Sequence, residues 1–335
     1  MCILHILSNL GATMKAAIVR NNNQSPVYAD FPDPILGKDE CLVQVSASSL
    51  NQISKGRASG KHYSTANEFP FVAGVDGVGR REDGSRVYFV LPKSPQGSMA
   101  EQCAVLKSHC IALPHDIDDV TAAAIANPGM SSWAALKERA RIVKGETVLI
   151  NGATGTSGKL AVQIAKYLGA CKVIATGRNR ETLASLTALG ADVCIELSEN
   201  KIDMGNAFKQ QFSEGVDIVL DYLWGDSAET LLIAAAKATP DLKSVRYVQI
   251  GSVSGSDITL PSAVLRASAI QLMGSGIGSV SLEKFIQVIA ELLQATASEK
   301  FHINTITAPL SDVEILWNQP ENSERLVFIM EHSNA

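Results

Sequence analysis

The stretch TVLINGATGTSG (Thr147–Gly158) decides the fold of this chain. It begins with an apolar run typical of a buried strand, continues into a glycine-rich turn and leads into an amphipathic helix near Ser157. Gly152 allows a tight turn, Gly155 lets backbone N–H groups approach a bound phosphate, and Gly158 lets the helix pack closely. This order predicts a dinucleotide-binding loop, and the alternative is a merely structural turn between strand and helix.

Strands and helices alternate strictly around this loop, and most of the strands are near-continuous apolar runs, as in parallel strands covered on both faces. The pattern predicts a doubly wound parallel α/β sheet with a ligand crevice at the carboxyl ends of its strands. The predicted strands are Thr147–Asn151, Lys172–Thr176, Asp192–Glu196, Val216–Asp221, Arg246–Gly251 and Ile270–Gly274. The predicted crossover helices are Ser157–Leu168, Arg180–Leu189, Ala228–Ala238 and Leu282–Ala295.

Both ends of the chain have a different texture, in which short β-rich runs alternate with proline and glycine. We therefore expect a second, β-rich domain built from residues 14–125 and 302–335, beside a cofactor-binding domain of residues 126–301. Residues 1–13 are interpreted as an N-terminal extension, because Met14 opens the first predicted strand. The β-rich runs are Ala16–Val19, Cys41–Ala47, Arg86–Leu91, Ala100–Val105, Ile303–Ala308 and Leu326–Met330.

Composition excludes several classes of function. The 335 residues carry a net charge of −5, with Lys and Arg scattered along the chain, which argues against nucleic acid and anionic membranes as partners. The six cysteines are widely spaced and include no Cys-x-x-Cys pair, so they predict neither a disulfide framework nor a zinc knuckle. We expect a cytoplasmic protein that acts on small molecules.

The end of the second predicted strand indicates which dinucleotide binds. A site for NADH usually has a carboxylate there, on the ribose hydroxyls, but the sequence continues Gly177-Arg178-Asn179-Arg180. Gly177 leaves room for a 2′-phosphate and Arg178 offers it a fork of donors, with Arg180 as additional charge. The sequence therefore predicts NADPH as the cofactor. The alternative is that Arg178 is a solvated arginine at a helix start.

Several blocks of sequence resemble the quinone oxidoreductase-like (zeta-crystallin-like) branch of the medium-chain dehydrogenases/reductases, and the resemblance covers the chain from Met14 onward. It implies a Rossmann domain that binds NADPH and a GroES-like catalytic domain. The blocks that carry it are Val45–Asn51, Phe69–Gly79, Gly97–Glu101 and Asn127–Ser132.

Zinc-dependent members of this superfamily place a cysteine in the turn after the early strand and a His-Glu pair after the central glycine. Here the turn reads Ser48-Ser49-Leu50-Asn51, and Val75-Asp76 follows Gly74. The four-cysteine lobe of a structural zinc site is missing as well. The resemblance therefore implies hydride transfer without a metal.

The resemblance also assigns site residues. Asn51 is the candidate donor to a substrate carbonyl, although it could equally stabilise its own turn. Tyr63 is a candidate proton donor by location, against the alternative of a packed or exposed loop tyrosine. Ser54 stands where relatives often have Asp. The expected cofactor contacts are Asn127, Ser131, Gly152, Ala153, Thr154, Gly155, Thr156, Ser157, Gly158, Gly177, Arg178, Asn179, Tyr222, Leu223, Gly251, Ser252 and Val253.

The function implied is a zinc-independent reductase that transfers a hydride from NADPH to a quinone or an α,β-unsaturated carbonyl compound. Two alternatives remain open: an enoyl-thioester reductase, and a non-enzymatic NADPH-binding protein of the crystallin kind. The apolar segment Ile270–Ile277 predicts an exposed edge strand, which in this superfamily commonly pairs across a dimer. We therefore expect a homodimer.

Overall fold

The structure is a computed structural model that describes residues 12–22, 24–60, 69–319 and 324–331. Its contacts divide the chain into two compact units. Unit 1 comprises Met1–Asn127 and Ile289–Ala335, and unit 2 comprises Pro128–Val288. The chain leaves unit 1 within the helix Asp119–Ala134 and returns to it within the helix Leu282–Glu299.

The N-terminal part of unit 1 is rich in short strands, as its proline and glycine spacing predicts. The first strand begins at Thr13, one residue before the start that we inferred from Met14. The elements in order are β1 (Thr13–Val19), β2 (Val27–Pro32), β3 (Glu40–Ser49), α1 (Gln52–Ala58), β4 (Phe71–Val72), β5 (Asp76–Arg81), β6 (Arg86–Val90), β7 (Gln102–Leu106), β8 (Cys110–Ala112) and α2 (Asp119–Ala134).

Unit 2 contains the alternating strands and helices that the sequence predicts. A π-helical turn, Ala135–Ala140, continues α2. The elements that follow are β9 (Thr147–Asn151), α3 (Thr156–Tyr167), β10 (Lys172–Gly177), α4 (Arg180–Ser185), β11 (Val193–Glu196), α5 (Lys201–Glu214), β12 (Ile218–Asp221), α6 (Gly225–Ala238), β13 (Ser244–Gln249), α7 (Ser262–Arg266), β14 (Ala269–Gly274) and α8 (Leu282–Glu299).

The strands of unit 2 form one parallel sheet in the order β11-β10-β9-β12-β13-β14 among the residues described. The order reverses between β9 and β12, so the loops after these strands diverge and leave a crevice at their carboxyl ends. Helix α3 packs on the sheet through Leu160 and Ile164, which lie one helical turn apart and are both fully buried. The doubly wound α/β fold that the sequence predicts is confirmed.

The C-terminal part of the chain adds β15 (Thr305–Pro309), α9 (Val313–Leu316) and β16 (Arg325–Ile329) to unit 1. Strand β16 pairs with β3, which extends a mainly antiparallel sheet in the order β15-β16-β3-β5-β6-β8 within the described ranges, and β7 also pairs with β3. A core that includes Val43, Phe89 and Phe328 ties these strands together. The predicted β-rich domain is confirmed as a fold.

Several elements are absent from our sequence-based prediction, among them α1, β2 and α5. Helix α5 is mostly polar outside its buried Met204, Phe208 and Phe212, and its ends carry the signals that define it. Asn200 accepts hydrogen bonds from the backbone N–H groups of Ile202 (3.1 Å) and Asp203 (3.4 Å), and Gly215, at φ 112°, ends the helix. Separately, none of the helices in the described part of the chain is long and apolar enough to cross a membrane.

Candidate functional site

The glycine loop joins the buried end of β9 to the start of α3. Gly152 has φ 88°, a conformation that favours glycine, and Ala153 donates a backbone hydrogen bond to the carbonyl of Thr176 at 2.8 Å. Gly155 is the N-cap residue of α3, so no side chain covers the first N–H groups of the helix. A Cβ built on Gly155 would meet no atom within 4 Å, whereas one on Gly158 would lie 2.5 Å from the Cα of Ala153. The loop thus presents an open helix N-terminus suited to an anion.

A buried polar network fixes this loop to the carboxyl ends of the neighbouring strands. The backbone N–H of Gly152 donates to Thr176 Oγ1 at 3.1 Å, and the Thr176 hydroxyl in turn donates to Asn151 Oδ1 at 2.8 Å. The Asn151 amide then donates to Asp221 Oδ1 (2.8 Å) and to Ser227 Oγ (2.9 Å). Asn151, Thr176 and Asp221 are completely buried. Because every polar atom of the Asn151 side chain has a partner, the network fixes one arrangement of three strand ends.

Asp221 organises the turn after β12. Its Oδ1 accepts the backbone N–H groups of Leu223 (2.9 Å) and Trp224 (3.1 Å), and its Oδ2 accepts the hydroxyl of Tyr247 at 2.7 Å. Trp224 has φ 60° and ψ −159°, a backbone region that residues other than glycine rarely adopt. The hydrogen bonds of Asp221 therefore stabilise a strained turn beside the glycine loop, and a Cβ on Gly152 would lie 2.8 Å from the Leu223 side chain.

The end of β10 carries the residues that we predict to select the cofactor. Gly177 is buried, and a Cβ there would lie 2.3 Å from Thr154 Cγ2, so this position accommodates no side chain beside Thr154. Arg178 is exposed beyond the strand. Asn179 is the N-cap of α4 and accepts the N–H of Thr182 at 2.8 Å, which gives it a structural role.

Other predicted contact residues lie around the loops after β12 and β13. The hydroxyl of Tyr222 lies 3.2 Å from Ser131 Oγ, and burial raises the pKa of Tyr222 to about 12, so the phenol stays protonated. Asn127 lies one turn before Ser131 on α2. Leu223 is half-buried, and the segment Gly251, Ser252 and Val253 follows β13, where the Val253 N–H donates to the Tyr222 carbonyl at 3.3 Å.

In unit 1, the Asn51 side chain is buried, and both its oxygen and its nitrogen make hydrogen bonds. It is the N-cap of α1, where its Oδ1 accepts the N–H of Ser54 at 2.8 Å, and its Nδ2 donates to Asp76 Oδ1 at 2.9 Å. The Tyr88 hydroxyl donates to the other oxygen of Asp76. Burial raises the pKa of Asp76 to about 6, against the lowering effect of these two hydrogen bonds. The alternative of a turn-stabilising asparagine thus describes what Asn51 does in this structure, and Asp76 is a partner that the sequence did not assign.

The pKa of Asp76 predicts a specific dependence of stability on pH. The pKa of Asp76 in the folded protein, about 6, exceeds the ordinary 3.8, so the native state binds this proton more tightly than the unfolded chain does. The protonated carboxyl therefore stabilises the fold at low pH, and this stabilisation is lost as pH rises through about 6. We expect Asp76→Asn to remove this loss, which is about 2–3 kcal/mol. In thermal melts, the Tm of the variant relative to the wild type should be higher at pH about 7.5 than at pH about 5. An equal difference at both pH values would contradict the assignment.

Tyr63, the candidate proton donor, lies outside the described residues, so its role stays a prediction. Among the residues that the structure does describe, no group of three or more His, Cys, Asp or Glu side chains could hold a metal ion.

Comparisons with known proteins agree with this architecture. The sequence model of the family described as "Zinc-binding dehydrogenase" matches residues 158–294. A probable NADPH-dependent quinone reductase, tdiC, from Emericella nidulans is 28% identical over 95% of this chain and 100% of its own length. Prostaglandin reductase-3 from Bos taurus is 29% identical, over 72% of this chain and 65% of the bovine protein. Quinone oxidoreductase from Lama guanicoe is 27% identical over 79% of this chain and 80% of its own length.

Solved structures share the fold over nearly the whole chain. A mycobacterial quinone oxidoreductase superimposes with a TM-score of 0.80 at 22% identity, covering 94% of this chain and 99% of its own. Quinone oxidoreductase from Thermus thermophilus gives a TM-score of 0.77 at 24% identity, covering 94% of this chain and 100% of its own. At these identities the likeness supports the fold.

Proposed function

Since the chain belongs to the medium-chain dehydrogenases/reductases, in their quinone oxidoreductase-like branch, we propose that it is an NADPH-dependent reductase of quinones or α,β-unsaturated carbonyl compounds. The observation that carries the proposal is the open N-terminus of α3 behind the glycine loop, with Arg178 at the end of the next strand. We assign residues 126–301 to cofactor binding and residues 14–125 with 302–335 to the catalytic domain. NADPH, when bound, supplies the hydride.

The fit of the cofactor rests on three features. The space beside Gly155 suits a pyrophosphate, because no atom lies within 4 Å of a Cβ built there and the helix has no capping side chain. Arg178 is exposed and can offer two parallel N–H donors to a 2′-phosphate. The buried network around Asp221 fixes the turn that carries Leu223, and we assign the rest of the cofactor to Asn127 and Ser131 on α2 and to Tyr222, Leu223, Gly251, Ser252 and Val253.

We propose that the reaction needs no metal. An open zinc site requires thiolate, imidazole or carboxylate ligands, but the turn where the zinc-dependent relatives have a cysteine reads Ser48-Ser49-Leu50-Asn51, and Val75-Asp76 stands in place of their His-Glu pair. Asp76 already accepts hydrogen bonds from Asn51 and Tyr88. The Asn51 amide has a second N–H besides the one donated to Asp76, and we propose that this second N–H polarises a substrate carbonyl without titrating.

A panel of acceptors tests the proposal. The oxidation of NADPH is followed by the loss of its absorbance with quinones, enones, enals and 2-enoyl thioesters as acceptors. The same series is repeated with NADH in place of NADPH. We expect turnover of a quinone or an enone. Fastest turnover of the thioesters would instead establish the enoyl-thioester alternative, and cofactor binding without turnover of any acceptor would refute the reductase.

Arg178 gives the cofactor assignment its own test. Arg178→Ala should raise the KM for NADPH about tenfold, because one charge-assisted contact to the 2′-phosphate is lost, and leave the KM for NADH unchanged. Arg266→Ala, which removes an exposed arginine at the end of α7, is the matched control. An unchanged preference between the two cofactors in the Arg178 variant would show that this arginine is only a solvated side chain.

We also propose a homodimer that forms through β14. This strand lies at the edge of the sheet in the described part of the chain, and Leu272 on it is 38% exposed. Pairing of two such edges would cover unpaired backbone groups. Sedimentation that shows only monomer at micromolar concentration would contradict this proposal.

A further inference from the structure

The fold brings a carboxylate to the cofactor-specificity position from a neighbouring strand. Glu196 is the last residue of β11, and it pairs in register with Gly177, the last residue of β10. The two ends are held together because the backbone N–H of Leu197 donates to the Gly177 carbonyl at 2.9 Å. Residues in register on adjacent parallel strands share a face of the sheet, so the Glu196 side chain leaves the sheet beside the end of β10.

The Glu196 side chain reaches the start of α4. Its Oε2 accepts a hydrogen bond from Arg180 Nε at 2.6 Å. The Glu196 side chain is 37% exposed and the Arg180 side chain 83%. An ion pair this exposed contributes little to the stability of the fold. The position of this ion pair matters more. Arg180 is one of the two arginines assigned to the 2′-phosphate, and its Nε already donates to Glu196.

A carboxylate at this place has opposite effects on the two dinucleotides. It can accept a hydrogen bond from the 2′-hydroxyl of the adenine ribose of NADH, as the acidic residue after the second strand does in NADH-specific sites. Towards NADPH it repels the 2′-phosphate and competes with it for Arg180. The sequence Gly177–Arg180 contains no acidic residue, so this effect arises only from the register of β10 and β11.

We propose that Glu196 is a specificity-determining residue that limits the preference for NADPH and permits binding of NADH, by pairing with Arg180 and by accepting from the ribose 2′-hydroxyl. The proposal rests on the proposed function, because it concerns the same cofactor site. Arg178 provides the attraction for the 2′-phosphate, and Glu196 sets how far that attraction is offset.

The test is Glu196→Gln, which keeps the shape of the side chain and removes its charge. We expect the Kd for NADPH, titrated by the quenching of protein fluorescence, to fall about fivefold, and the Kd for NADH to rise about twofold, as one close charge is removed. The affinity of the variant for NADPH should also fall more steeply with salt than that of the wild type, since Arg180 then faces the phosphate unpaired.

Glu214→Gln is the matched control, because Glu214 also pairs with a basic residue of the same sheet, Lys172, at the opposite end of β10. It should leave the ratio of the two Kd values unchanged. Arg180→Ala should weaken the binding of NADPH. In the Arg180→Ala background, Glu196→Gln should increase the preference for NADPH over NADH less than it does in the wild type.

Two results would overturn the proposal: an unchanged Kd ratio in Glu196→Gln, or an equal change in Glu214→Gln. Loss of the preference for NADPH in Arg178→Ala, measured in parallel, would leave the proposed function intact in either case. A wild-type protein that binds neither dinucleotide would instead refute the proposed function.

Discussion

Replacing Asp221 with alanine should destabilise unit 2 more than any other single change in the candidate site. Four donors would lose this acceptor: the buried Asn151 amide and Tyr247 hydroxyl, and the partly buried backbone N–H groups of Leu223 and Trp224. An unsatisfied buried donor costs about 1–3 kcal/mol, and because the turn can relax and the Asn151 amide keeps Ser227 as an acceptor, we expect a total loss of about 4 kcal/mol. For a unit of this size the Tm should fall by about 10 °C.

The same substitution should weaken NADPH binding about thirtyfold, which corresponds to about 2 kcal/mol. The turn at Trp224 is strained and is held by the two N–H contacts of Asp221, so it relaxes when they are lost. Titration of the folded variant below its Tm measures this effect separately from the loss of stability.

Asp221→Asn is the informative control. Its Oδ1 can still accept from Asn151, Leu223 and Trp224, and its amide can donate to the Tyr247 hydroxyl, which then acts as an acceptor. The loss should be about 1 kcal/mol. If alanine and asparagine prove equally damaging, the effect comes from charge rather than from unsatisfied donors, and the network explanation fails.

The sequence predicts the doubly wound sheet well because its strands are buried on both faces and therefore apolar throughout. Elements without such a pattern escape prediction. Strand β5 contains Gly77 and Gly79, and its sequence alone indicates only a glycine-rich segment. A Cβ at Gly79 would lie 2.2 Å from the Gln44 carbonyl oxygen, so this glycine permits a close approach between strands. Glycine is required at this position because of the partner strand β3, which the local sequence does not identify.

The candidate site is predictable only where a motif is continuous in sequence. The glycine loop lies between β9 and α3, and Arg178 lies between β10 and α4, so each belongs to one continuous stretch of strand, turn and helix. The Asn151 and Asp221 pair joins β9 to β12, and Glu196 reaches Arg180 across β11 and β10, so both depend on strand order and register. One signal is present in the sequence: Asp221 ends an apolar run, and a charged residue at the end of a buried strand requires partners.

Two of the three glycines of the loop, Gly158 and Gly155, should differ in their effect on stability when replaced with alanine, although both replacements should weaken NADPH binding. Gly158→Ala places a methyl group 2.5 Å from the Cα of Ala153 and from the carbonyl oxygen of Gly152, which are backbone atoms that cannot move aside cheaply. Overpacking of this kind costs about 1–3 kcal/mol, only partly offset by the helix propensity of alanine. We expect a fall in Tm of about 5 °C and a large loss of NADPH affinity, because the loop is displaced.

Gly155→Ala should instead leave the fold intact. Gly155 has φ −77° and ψ 169°, which alanine adopts without strain, and a Cβ there meets no atom within 4 Å. The Tm should change by less than about 3 °C, the effect of replacing one N-cap residue. The methyl group nevertheless occupies the space that we assign to the pyrophosphate, so the Kd for NADPH should rise at least tenfold, or about 1.4 kcal/mol. Wild-type affinity in this stable variant would mean that the glycine loop is only a turn between strand and helix, and the cofactor site would have to lie elsewhere.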